Sequence, residues 1–314
     1  MQKSAAQEFT GFGYDQALYD QLTEFKETNN LSDNRLAALI GCSPGVITKY
    51  MDRENIGDLP LFQRQIQSFL DGRQGLSESS LLRGVCRTGP FETIGETLRM
   101  TQLMRVISII LADSGTGKTI SVESYVRVFP TTLLITADIT RRTARAVLKM
   151  LFDCIGEPFY HRTTDQLLDR LIQYFQNSKR LLIVDDSHFL SWACFEAVRR
   201  LYDACGLAIA FLGQHRTLDQ MRGHRGMLYD QLMSRICLRR DQFPIVRGDV
   251  KMIADSIVPG LDKDCIDFLF ERAQGQGRFR TVRNVLNLSL KFSEMSKSRI
   301  TLETLRQADS LLVR

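Results

Sequence analysis

The 314-residue sequence holds no Cys-x-x-Cys pair; its seven cysteines, at 42, 86, 154, 194, 205, 237 and 265, are odd in number and scattered. Such a set excludes a disulfide framework or a zinc ribbon and fits reduced thiols of a cytosolic protein. The four histidines, His161, His188, His215 and His224, have no metal-ligand spacing and offer no metal site. No apolar run approaches the ~18 residues needed to cross a bilayer, and the N-terminal Met-Gln-Lys-Ser-Ala-Ala-Gln-Glu lacks the apolar core of a secretory signal. A soluble, cytoplasmic chain is the expectation. Internal repeats and low-complexity segments are missing too. What is there is 44% hydrophobic residues, enough for a substantial core over about two domains, and a formal net charge of +5. That mild excess permits a polyanionic partner without demanding one.

The most informative stretch runs from Ile107 through Ser-Ile-Ile-Leu-Ala to Asp113-Ser114-Gly115-Thr116-Gly117-Lys118-Thr119, an apolar strand feeding a glycine turn closed by Lys-Thr. In such a turn the backbone N–H groups of residues 113–117 and of the following helix start face phosphates. Lys118 reaches the β and γ oxygens, and the Thr119 hydroxyl ligates Mg²⁺. ATP or GTP is the implied ligand. Ala112 stands where G-x-x-x-x-G-K-[ST] has its first glycine, which weakens the match, while Gly115 and Gly117 occupy the positions where close backbone approach matters most.

Residues 14 to about 70 carry short helical patterns, Tyr14 to Leu22 and Phe62 to Leu70 among them, with apolar positions three and four apart. Between these, Leu31 to Met51 reads as a capped helix, a turn at Gly41, and a second helix opened by Ser43 with Pro44 at its first position. A helix-turn-helix of this kind would turn Ser43, Gly45, Val46, Thr48 and Lys49 toward a major groove; a small bundle for protein contacts has the same pattern. Gly, Ser and charge concentrate over 71–90 and mark a linker. Apolar runs at Val106–Leu111, Leu133–Ala137, Leu181–Val184 and Leu207–Leu212 then alternate with amphipathic helices, the pattern of a parallel sheet covered on both faces. Beyond Pro244 the chain turns helical, Cys265 onward and Val282–Phe292 most clearly. The expected division is a helix-turn-helix domain at 1–75, a linker at 76–100, an α/β core at 101–245 and a helical lid at 246–314.

The run Leu181–Val184 delivers Asp185-Asp186 to the strand end where ligands bind in doubly wound sheets. Asp185 is the expected Mg²⁺ partner. Asp186 stands where many ATPases place a glutamate that orients water, and a carboxylate one methylene shorter should slow hydrolysis more than binding. Taken alone, an Asp-Asp pair is also what a solvated turn looks like. At the end of Leu207–Leu212, Gln214 is a candidate to hold that water or touch the γ-phosphate. Arg235 is a candidate arginine finger toward a neighbouring subunit, and Arg280 opens a lid helix able to close over nucleotide; surface salt bridges are the alternative for both. Arg141, Arg142 and Arg145, followed by Lys149, form a basic helix start whose members at 142, 145 and 149 share one face, suited to a phosphate backbone or simply to solvent.

In this order the motifs resemble the AAA+ ATPases of DNA transposition, a family that takes in phage transposition proteins, insertion-sequence helper ATPases and ATP-dependent target selectors. The similarity extends over nearly the whole chain: the helix-turn-helix region, 113–119, Leu-Ile-Thr-Ala-Asp-Ile-Thr at 134–140, Ile183 to Leu190, Phe211 to Arg216, Ser234-Arg-Ile236 and Gly277-Arg-Phe-Arg280. It implies an AAA+ P-loop fold and an ATPase using ATP and Mg²⁺. It also implies helical filaments on duplex target DNA that recruit and activate a transposase, with hydrolysis driving disassembly. Lys118 and Thr119 then carry over as nucleotide and Mg²⁺ ligands, Asp185 and Asp186 as the Walker B pair, Gln214 as sensor 1, Arg235 as the finger in trans and Arg280 as sensor 2. Arg141, Arg142 and Arg145 fall where the family contacts DNA. A helicase loader or replication initiator shares the core fold, and a nucleotide-gated helix-turn-helix repressor would share the N-terminal pattern.

Overall fold

The computed structural model describes residues 14–28, 31–40, 42–56, 58–74, 84–157, 163–176, 178–222 and 226–312. Two compact units divide the chain, one within 1–81 and 150–161, the other within 82–149 and 162–314. Among the described residues no helix is long and apolar enough to cross a membrane.

The first unit contains α1 (Gln16–Thr28), α2 (Asp33–Ile40), α3 (Pro44–Met51) and α4 (Leu59–Gln74). Leu22, Leu36, Ile47, Tyr50 and Ile66 are fully buried in its core, each apolar side chain of this size contributing ~1.5–3 kcal/mol. Ser43 and Pro44 open α3 as expected, and Ser43, Gly45, Thr48 and Lys49 are exposed. Val46 corrects the sequence reading: it is half-buried and packs on this core, because it flanks the inward-facing Ile47 and Tyr50. The turn residue Gly41 lies outside the described residues, as do 75–83 of the expected linker.

The span assigned to the linker is partly helical. α5 (Gly89–Met104) starts inside it, N-capped by the Thr88 hydroxyl, which accepts from the Phe91 N–H, and helped by Pro90 in the first turn. Such a cap is worth ~1 kcal/mol. The local Gly and Pro that suggested a linker are in fact a helix start.

A five-stranded, all-parallel sheet follows in the order β2-β3-β4-β1-β5: β1 (Ile107–Leu111), β2 (Leu133–Thr136), β3 (Leu181–Asp185), β4 (Ala208–Gly213) and β5 (Ile236–Arg240). Helices α6 (Lys118–Val128), α7 (Ala144–Ile155), α8 (Thr164–Phe175), α9 (Trp192–Cys205), α10 (Thr217–Arg222) and α11 (Gly226–Met233) connect them. β1, β3 and β4 are buried at every position, which is why their sequences read as unbroken apolar runs. β5 was not expected. It is an edge strand, partly exposed and ending in Arg239-Arg240, so neither apolar content nor alternation betrays it.

The lid comprises α12 (Arg247–Ile257), α13 (Lys263–Gln274), α14 (Arg278–Ser296) and α15 (Leu302–Ser310) around Val250, Leu269, Val282, Leu286 and Leu305. The buried Asp249 joins lid to core, its Oδ1 accepting from the Gly89 N–H at 2.7 Å and its Oδ2 from the Val246 N–H at 3.0 Å.

Candidate functional site

Parallel strands bring all their C-terminal ends to one edge, and with β4 between β1 and β3 the segments following these three strands become neighbours. After β1 the chain bends through Gly115 (φ +84°) and Gly117 (φ +99°), both left-handed, into α6. Ala112 has no left-handed φ, so the backbone conformation there does not call for a glycine. Gly115 is demanded twice over: a β-carbon there would sit 1.9 Å from the Gly277 carbonyl oxygen at the start of the lid helix α14.

Lys118 is buried and donates from Nζ to the carbonyls of Ala112 at 2.7 Å and Asp113 at 2.9 Å. Burial lowers its pKa, against the pull of Asp185 and Asp186. Asp185, at the end of β3, is buried as well, and burial pushes its carboxyl pKa up while the Asp186 N–H, at 2.9 Å from Oδ1, pulls it down. Thr119 Oγ1 donates to Asp185 Oδ2 at 3.1 Å, joining the phosphate-loop helix to β3.

Asp186 differs from its neighbour in backbone as well as burial, with φ +51° and ψ +34° at the entry to a 3₁₀ turn, Ser187–Phe189. Asp visits the left-handed region more readily than a longer carboxylate side chain does, which gives the shorter residue a conformational reason to stand here. Ser187 Oγ donates to the Leu212 carbonyl at 2.7 Å, drawing this turn onto β4. Gly213 permits the approach, since a β-carbon there would meet Thr217 Oγ1 at 2.2 Å and Ser187 Oγ at 2.8 Å.

A cavity of about 470 Å³ opens above these strand ends, a size typical of small-molecule sites. Ser114, Gly115, Gly117, Lys118, Thr119, Asp186, Gln214 and Arg280 line it, so residues from three strand ends and the lid share one space. Asp113 and Thr116 belong to the same turn, Thr116 Oγ1 donating to the Asp113 carbonyl at 2.8 Å. The lid clasps the turn directly: Arg280 Nη1 donates to Ser114 Oγ at 3.0 Å, Arg278 Nη2 pairs with Asp113 Oδ2 at 2.7 Å, and the Phe279 N–H donates to the Gly115 carbonyl at 3.1 Å.

Sequence reading missed the other wall. Val85, Phe91, Ile253 and Ile257 form an apolar end, and Arg283, Asn284 and Asn287 continue the Arg280 face of α14. The spacing 280, 283, 284, 287 is one helix stripe and was available as a signal; the apolar end was not, because its residues come from segments more than 150 positions apart.

Other candidates stand away from the cavity. Arg235 is half-buried and pairs through Nε with Asp203 Oδ1 of α9 at 2.6 Å, lining none of the cavity. Arg141 and Arg142 precede α7, which begins at Ala144, rather than lying on it: Thr143 opens the helix, its Oγ1 accepting from the Ala146 N–H at 3.2 Å. Arg141, Arg142, Arg145 and Lys149 are all exposed around the helix N-terminus, where the helix dipole adds to their positive potential. Thr48 and Lys49 belong to the first unit. His188 is buried, His215 is exposed, and His161 and His224 lie outside the described residues. Among the described residues no group of three or more His, Cys, Asp or Glu is arranged to hold a metal ion.

The AAA domain family matches residues 104–221. The "ATP-dependent target DNA activator B" of Escherichia phage Mu is 24% identical over 283 residues, covering 90% of this chain and 90% of that protein. Its namesake from Escherichia phage D108 is 23% identical over the same length and coverage. Among solved structures, the ADP form of the Aeropyrum pernix ORC2 protein superposes with a TM-score of 0.53 at 17% identity, over 72% of this chain and 68% of that one, a likeness of fold.

Proposed function

Because this chain is an AAA+ ATPase similar to the phage target DNA activators B, we propose that its ATP-bound form coats duplex DNA without sequence choice and presents it to a transposase. In this cytoplasmic assembly the protein forms helical filaments, and hydrolysis releases them. The observation that carries the proposal is the convergence of Lys118, Thr119, Asp186 and Arg280 on one cavity, with Asp185 hydrogen-bonded to Thr119, in a chain that also exposes a basic turn before α7.

Residues 113–117 present backbone N–H groups to the phosphates, and Lys118 gives its charge to the β and γ oxygens. The Thr119 hydroxyl and Asp185 carboxylate are hard oxygen donors 3.1 Å apart, the donor chemistry that Mg²⁺ takes. Bound there, the ion would neutralise charge on the phosphoryl oxygens. Asp186 orients the attacking water, Gln214 holds that water or the γ-phosphate, and Arg280 contributes from the lid. Arg235 leaves Asp203 to meet the nucleotide of an adjacent subunit. Arg141, Arg142, Arg145 and Lys149 neutralise the DNA backbone inside the filament, and Thr48 and Lys49 add contacts from the helix-turn-helix. With a short Asp186 and Gln214 at the strand ends, turnover is weak until DNA engages.

Electron microscopy of the purified protein with duplex DNA, in ATP, ADP and a non-hydrolysable analogue, tests this. Regular coating in ATP and the analogue but not in ADP is expected. A protein that stays monomeric and off DNA at saturating ATP and Mg²⁺ overturns the proposal; protection of a single site would point instead to a repressor, and preference for single strands to a helicase loader.

A further inference from the structure

The basic turn is fastened at both of its ends to the segment that carries Asp186, and we infer that Ser191 is the positioning residue through which a polyanion on Arg141 and Arg142 acts on that carboxylate. The inference rests on the proposed reading of these arginines as DNA contacts.

At one end the Ala137 N–H donates to the Asp185 carbonyl at 2.9 Å, extending the β2–β3 pairing in which Thr136 stands opposite Asp185. At the other end the Arg142 carbonyl accepts two hydrogen bonds, from Ser191 Oγ at 2.6 Å and from Cys194 Sγ at 3.1 Å. Between these anchors the turn is braced: Asp138 Oδ1 accepts from the Thr140 N–H at 2.7 Å, and Asp138 Oδ2 pairs with Arg141 Nε at 3.3 Å. The facing run from Asp185 to Ser191 is just as short and as stiff, made of the left-handed Asp186, the 3₁₀ turn and the Ser187 bond to Leu212. Asp186 therefore lies on a segment whose two ends are the two anchors of the basic turn.

Ser191 is the N-cap residue of α9, with the extended backbone (φ −79°, ψ 161°) from which a serine ordinarily accepts an N–H of its own helix. It makes no such bond. Its hydroxyl goes to Arg142 instead, and Cys194, buried and kept in its thiol form by a pKa that burial raises, adds a second donor to the same carbonyl. A cap given up for a link between loops is what a mechanical tie needs. A phosphate drawing on Arg141 and Arg142 loads the backbone at 138–142, and the load reaches the chain on both sides of Asp186. Because phosphoryl transfer depends on where the water-orienting group stands, the displacement changes turnover and leaves nucleotide affinity alone.

The test uses the full-length protein with Ser191→Ala and Ser191→Thr, measuring ATP turnover with and without duplex DNA, nucleotide affinity and DNA affinity. For Ser191→Ala the expected result is unchanged basal turnover, nucleotide affinity and DNA affinity, with the DNA-stimulated increment reduced about fivefold, the factor one net hydrogen bond carries. Ser191→Thr, which keeps the hydroxyl, restores the increment. Full stimulation in Ser191→Ala overturns the inference, as does a loss of basal turnover and thermal stability that threonine fails to rescue. If alanine at 191 prevents folding, Cys194→Ala removes the second donor and is expected to lower the increment by a smaller factor; full stimulation there, too, counts against the tie. Failure of the DNA reading looks different, since Arg141→Ala/Arg142→Ala would then leave DNA affinity intact.

Discussion

Lys118, Thr119 and Asp185 at the strand ends are buried or hydrogen-bonded to partners in their own chain, whereas Arg141, Arg142, Arg145 and Lys149 stand exposed around a helix start. The first group is assembled within the chain, because β1 and β3, parallel and separated only by β4, bring their C-terminal ends to one edge of the sheet and Thr119 hydrogen-bonds Asp185 across it. Members of the second lie exposed at the start of α7, with Arg141 paired to Asp138 at 3.3 Å, and in the proposed reading they face a charge that a DNA backbone supplies. Arg235 stands between these cases, held by Asp203 within the chain yet remote from the cavity it is proposed to serve in a neighbour. In the proposed reading, burial separates what one subunit does alone from what needs a second macromolecule.

Substitutions on each side sharpen or break this contrast. The largest effect is expected for Lys118→Ala, which should cut ATP turnover by about 10³-fold and abolish ATP-dependent DNA coating with little change in melting temperature. Unchanged turnover and coating would remove the buried group from the chemistry. Arg235→Ala is next, with turnover falling about 10²-fold only where subunits assemble on DNA. Nucleotide affinity measured at low protein concentration should match the parent, and a matching loss there would place Arg235 inside its own subunit's site. Replacing Arg141 and Arg142 together by alanine should weaken DNA binding and lower its log–log salt slope by about 2, while ATP affinity is unaffected; a titration at several salt concentrations decides it.

The remaining effects concern stability. Asp249→Ala leaves the Gly89 and Val246 N–H groups without their acceptor and should cost ~1–3 kcal/mol in denaturant unfolding, where the exposed arginines cost nothing measurable. The smallest change is expected for Asp186→Glu: a few-fold faster turnover from the extra reach, set against a stability loss of about 1 kcal/mol from a bulkier residue at φ +51°. A glutamate that slows turnover would show that the left-handed backbone, rather than side-chain length, sets the carboxylate's position.

Much of the α/β unit was legible in the linear chain. Its inner strands are buried on both faces and so read as continuous apolar runs, and the glycine turn, the Asp-Asp pair and Arg280 follow strand or helix boundaries that local chemistry marks. Less legible was whatever depended on exposure. β5 ends in two arginines, and α5 hides behind a Gly-Pro start that looks like a linker. Val46 carries no sign of which way it turns until Ile47 and Tyr50 are seen to point inward.

Periodicity, turn chemistry and the spacing of charged groups were enough to announce a helix-covered parallel sheet with a phosphate-binding turn and to single out Lys118, Thr119, Asp185, Asp186, Gln214 and Arg280, each tied to a local backbone feature, while the AAA+ assignment came from the resemblance of the motifs in their order. Only folding in three dimensions could set β4 between β1 and β3, bring the start of α14 onto Gly115, and spend the hydroxyl of Ser191 on Arg142 rather than on its own helix. Those contacts join residues 27 to more than 160 positions apart, and which of many possible partners such a residue finds is decided by packing of the whole sheet and lid, a cooperative outcome that no local pattern encodes.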